Sequence, residues 1–120
     1  MKYIKKFFFF IIAFSGFTIY GQQYKKWDDE SVDEFYEKVS VKNGTLSEDG
    51  SKISFVLVPS IPKQGIYEVK ITDYKNDLYE IKGTGYYVKF RGYHGYAGYG
   101  EEGVLEVGSS AWSSTYYEKP

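Results

Sequence analysis

The sequence predicts an all-β protein: a small antiparallel barrel or sandwich of five to seven short strands, with one short N-terminal helix left open. Three observations predict it. Apolar and polar residues alternate with period two through most of the chain beyond Ile53, as in strands with one face on a core and one in water. Turn-forming residues punctuate these runs at close intervals: Asn43-Gly44, Asp49-Gly50, Lys75-Asn76-Asp77 and Gly83-Thr84-Gly85. No connection is long enough for a crossover helix, so the pairing should be antiparallel.

The first 21 of the 120 residues read as a secretory signal peptide. Lys2, Lys5 and Lys6 give a positive start, an apolar run follows from Phe7, and Gly21 offers a small residue for cleavage before Gln22. The run is interrupted by Ser15, Gly16 and Thr18 and falls short of the about 20 apolar residues a spanning helix needs. Cleavage rather than anchoring is therefore expected, with no membrane span afterwards. The segment resembles export signals of the Bacteroidota, which end in a small residue followed by Gln. That resemblance implies a bacterial source and a periplasmic or extracellular location.

Removing residues 1–21 leaves 99 residues, enough for one modest core. It takes three basic residues and no acidic one, moving the net charge from −1 to −4. An acidic domain suits neither nucleic acid nor anionic membranes. The chain has no Cys, so packing must replace disulfides, and Tyr supplies the material: 12 of the 14 in the full chain remain after residue 21.

Residues 22–30 are polar and acidic and read as a flexible lead-in to a single β-rich domain at 31–120. Ser31 and Glu34 fit a capping box. Val32, Phe35, Tyr36 and Val39 follow at helical spacing, so 31–38 could form a short helix. The competing reading is a strand over 35–41. Further strands are expected at 53–58, apolar on both faces apart from Ser54 as in a central, well-covered strand, and at 66–72, 78–82, 86–91, 104–107 and 115–118. The segment 59–65, with Pro59 and Pro62, should be a loop.

The unusual segment is 91–103. Gly92-Tyr93, Gly95-Tyr96 and Gly98-Tyr99 repeat at a spacing of three, which breaks strand alternation and predicts a loop or bent strand. One expectation is a recognition loop. Tyr93, Tyr96 and Tyr99, with Tyr87, Trp112 and Tyr116, would stack on a glycan or an extended peptide. The other is that these rings fold back and cover an open end of the sheet.

His94 is the only histidine. One His without Cys or ligand spacing makes a poor metal motif, so no metal and no cofactor are expected, and His94 reads as solvated. Glu101-Glu102 would point to opposite faces of a strand, unlike a glycosidase carboxylate pair. No nucleophile elbow accompanies the serines, which places a small hydrolase last. The glycines of 92–103 lack the Lys-Ser/Thr ending of a phosphate loop, and Asn43-Gly44-Thr45, a glycosylation sequon by pattern, reads as a turn. Outward strand positions mix charge signs, against a nucleic-acid groove. The sequence thus suggests a non-enzymatic binding domain or, alternatively, an envelope protein pairing through a β-edge with a partner protein.

Overall fold

The computed structural model describes residues 23–98 and 100–120; the export signal read at 1–21 lies outside them. Seven strands are present: β1 (Asp28–Ser40), β2 (Phe55–Pro59), β3 (Gly65–Asp73), β4 (Tyr79–Ile81), β5 (Tyr86–Phe90), β6 (Glu101–Val107) and β7 (Thr115–Glu118). Every pairing is antiparallel. The order β2-β1-β5-β4-β3-β6-β7, with a further β1–β7 pairing, closes six strands into a barrel and leaves β2 as an extra strand on β1. Between the two architectures expected, the molecule is the barrel; the strand expected to be central and well covered at 53–58 is instead β2, which among the described residues pairs with β1 alone and exposes Val56.

The short helix expected at 31–38 is absent; those residues lie within β1. Both edges of β1 are used, by β7 along 28–31, by β5 along 32–37 and by β2 along 36–40. A ladder this long outweighs one capping box, because an isolated helix shorter than about 12 residues is marginal. The helical spacing of Val32 and Phe35 has another cause. The register with β5 shifts between Val32 and Glu34, a bulge that adds one residue and lets both side chains face the core. Both are buried.

The flexible lead-in expected at 22–30 is instead ordered structure over its described residues, 23–30. Gln23–Lys26 form a 3-10 turn, and β1 starts at Asp28. Tyr24 is fully buried in a small second core with Val104 and Tyr117, flanked by Trp27 and Ile66. Its ring meets Tyr117 edge-on at 5.0 Å, and its hydroxyl donates to Glu106, which also pairs with Lys25 at 2.7 Å.

The main core fills the barrel: Val32, Phe35, Tyr67, Ile71, Tyr79, Ile81, Val88, Phe90, Leu105, Val107 and Tyr116. Each such side chain contributes about 1.5–3 kcal/mol by leaving water. The inward position at Gly103 is glycine for a reason. A Cβ there would stand 2.5 Å from the Tyr116 ring and closer still to the Tyr117 carbonyl oxygen. The β3–β4 hairpin tip carries Asn76 and Asp77 at φ 60° and 61°, which these residue types tolerate.

Candidate functional site

The β5–β6 loop, residues 91–100, runs over the barrel end where β1 begins and β7 finishes. Strand pairing brings Glu30 opposite Tyr116 and Asp28 opposite Glu118 at that end, and Glu101 opposite Ile71. The loop is fastened there by its backbone. The Tyr79 hydroxyl donates to the Gly95 carbonyl at 2.5 Å. The Asp73 carboxylate accepts from the amides of Ala97 at 3.1 Å and Gly98 at 3.2 Å.

Among the described loop residues, the His94 side chain enters the barrel, and Ala97 packs against the core. His94, expected to be solvated, has a side chain only 1% exposed. Its ring lies 5.0 Å from that of Tyr79, 4.8 Å from Phe90 and 5.8 Å from Tyr116. It plugs the core's open end. The sequence reading failed here because the partners are remote in the chain and converge only when the barrel closes.

Those partners are carboxylates. Nδ1 of His94 meets Glu30, and Nε2 meets Glu101 at 2.8 Å. The Tyr116 hydroxyl donates to the same Glu101 oxygen at 2.8 Å. Donor atoms of Glu30, His94 and Glu118 lie within 4.8 Å of one another. Burial pulls the imidazole pKa down, but Glu30 and then Glu101 outweigh it, so the pKa ends above the ordinary histidine value. Burial pushes the Glu30 carboxyl up, with Glu101 and Glu118 adding to burial and His94 opposing it. Tyr116 is raised by burial and then by Glu101. Tyr79 is pushed up to about 12 by burial, then by Asp73 and Glu30. Neither imidazole nitrogen faces a Ser or Thr hydroxyl.

The six aromatic residues expected to bind divide sharply. Tyr93 and Tyr96 are 94% and 82% exposed, and Trp112 is 63% exposed. Tyr116 is buried inside the barrel, and Tyr87 is buried on its outer face against Tyr74, with ring centroids 4.8 Å apart. Neither of these two offers a ring face to a ligand. Tyr99 lies outside the described residues. The Tyr93 ring reaches over Gly95, and the Tyr96 ring over Gly98: a Cβ on either glycine would meet the ring at 3.6 and 3.3 Å. The spacing of three therefore sets a glycine beneath each exposed ring. The barrel end is indeed covered, but by His94 rather than by Tyr93 or Tyr96.

Trp112 sits in the β6–β7 connection, in a 3-10 turn at Ala111–Ser113. The Arg91 guanidinium stacks on its ring at 4.2 Å and donates to its carbonyl at 2.7 Å. Its indole N–H donates to Asp33, the bulge residue of β1, at 3.2 Å.

Open grooves lie on the outer surface. One, of about 420 Å³, is lined by Trp27, Glu68, Lys70, Lys82, Glu102 and Lys119 among others. Another, of about 430 Å³, runs beside β1 where its edge passes from β7 to β2, past Phe35, Ser60 and Ile61. Among the described residues, no helix is long and apolar enough to cross a membrane. No protein-family model, curated protein or solved structure matches this chain.

Proposed function

We propose that the protein is a non-enzymatic, exported binding domain whose Tyr/Gly loop takes a glycan or an extended peptide. The observation that carries this reading is the exposure of the Tyr93 and Tyr96 rings, 94% and 82%, on a loop held by Asp73, Tyr79 and His94. Large aromatic side chains left in water on a fastened backbone are suited to recognition. A flat ring supplies contact area with few torsions to freeze, and a fixed loop lowers the ordering cost of binding. Trp112, stacked under Arg91, offers a second aromatic surface two residues removed from Tyr93 through that arginine. Binding of the tag-free protein to immobilised oligosaccharides and extended peptides tests the reading. Selective binding to one of the two sets supports it. Binding to neither overturns it.

The free edge of β2 favours a second reading, pairing with a partner protein. Among the described residues β2 bonds to β1 alone, and Val56 on β2, Val39 on β1 and Leu46 in the connection between them are exposed. The Ser54 carbonyl and the Ser60 amide bond to β1, so alternation turns the polar groups of Phe55, Leu57 and Pro59 outward. An open edge of this kind accepts an added strand. Cross-linking in extracts of the source cell should then yield a hetero-complex that Leu57→Pro abolishes; a monomer throughout contradicts it.

A further inference from the structure

We propose that His94 Nδ1 and the carboxylates of Glu30 and Glu118 form a binding site for a divalent first-row transition-metal ion. The three residues come from the β5–β6 loop, β1 and β7. Each offers one donor atom, and all lie within 4.8 Å of one another. Ligands around one such ion, with bonds near 2.1 Å, stand about 3.3 Å apart. Small side-chain rotations would therefore close the set on an ion.

The imidazole makes the case. Both of its nitrogens meet carboxylate oxygens, Nδ1 at Glu30 and Nε2 at Glu101. A neutral imidazole has one N–H and one lone pair. Whichever nitrogen holds the proton, the other would set its lone pair against an anion. A cation on the second nitrogen, either a second proton or a metal ion, relieves the conflict. Nε2 has ordinary hydrogen-bond geometry to Glu101, at 2.8 Å, and Glu101 is itself held by the Tyr116 hydroxyl. Metal-binding imidazoles are oriented in this way, the outer nitrogen donating to a carboxylate while the inner one binds the ion. Nδ1 is then the free donor, and it is the nitrogen that meets Glu30, with Glu118 alongside.

Charge points the same way. Glu30, Glu101 and Glu118 surround a single imidazole, and among the described residues no Lys or Arg forms an ion pair with any of the three. One nitrogen and two carboxylates suit Zn²⁺ or Mn²⁺, whereas Ca²⁺ takes six to eight oxygens. The ion would fix the loop that carries Tyr93 and Tyr96 to the first strand and the last.

Calorimetric titration of the tag-free, metal-stripped protein with ZnCl₂, and with CaCl₂ as control, tests the site. Glu118→Gln is the informative variant, because Glu118 accepts no hydrogen bond from His94 and its removal leaves the loop's anchors in place. The expected result is saturation near one equivalent of Zn²⁺, no uptake of Ca²⁺, and at least about a tenfold loss of Zn²⁺ affinity in the variant at an unchanged metal-free melting temperature. Absence of saturable Zn²⁺ binding overturns the proposal. So does wild-type affinity in Glu118→Gln, which would leave a proton alone between His94 and Glu30.

Discussion

Gly103 is the residue on which the packing of the barrel end turns. It lets the Tyr116 ring lie across β6, and that ring holds Glu101, which in turn holds His94. Gly103→Ala should cost about 3 kcal/mol or more, since one of the clashing atoms is a backbone oxygen that cannot swing away. A urea unfolding midpoint that does not move would contradict the packing described. The Gly-Tyr spacing marked the loop but left open whether its rings face water or fold back; Tyr93 and Tyr96 stand in water. The burial of His94 was not legible. Its spacing to other ligand types in the sequence is uninformative, and Glu30 and Glu118 reach it only through strand pairing.

At the scale of elements, β3, β4 and β5 could be read to within a residue or two from their alternation, whereas β7 was placed without one, since Tyr116 and Tyr117 are both buried. β1 was ambiguous for a physical reason. Its bulge at Asp33 inserts one residue between Val32 and Phe35, and the resulting spacing of three imitates a helix turn. The N-terminal 3-10 turn was hidden differently: a single Tyr24 in a polar run gives no periodicity. Yet that ring seals the outer face of β6 and β7 with Tyr117 and Val104. Tyr24→Ala should lose about 3 kcal/mol while also depriving Glu106 of its hydroxyl donor. Denaturant unfolding checks this; stability equal to wild type would mean that the turn is not packed.

For the whole molecule, a core built from tyrosine in place of disulfides has a signature in alkali. Burial raises the pKa of Tyr24, Tyr67, Tyr79, Tyr87, Tyr116 and Tyr117. A raised folded-state value means that the fold prefers the neutral phenol. The stability tied to these groups is complete below the unfolded value of about 10 and is lost as pH climbs through the folded values, which for Tyr79 is about 12. The protein should therefore unfold cooperatively across that window, with the buried phenols ionising in the same transition. Ultraviolet difference spectroscopy alongside circular dichroism would follow both. Ionisation of every tyrosine as one class near 10, with the fold intact, would contradict it. Barrel closure itself was legible only as far as "barrel or sandwich", because alternation reports faces and not which edges meet.

The measurement that bears most directly on the recognition loop is the Tyr93→Ala/Tyr96→Ala double variant, followed by melting temperature and by binding to whichever immobilised oligosaccharide or peptide the wild type retains. Both rings stand in solvent while His94, Asp73 and Tyr79 hold the loop. The expected result is binding lowered at least about tenfold, equivalent to about 1.4 kcal/mol, with an unchanged melting temperature. A variant that melts well below the wild type would make the rings part of the fold, and one that binds as the wild type does would place recognition elsewhere.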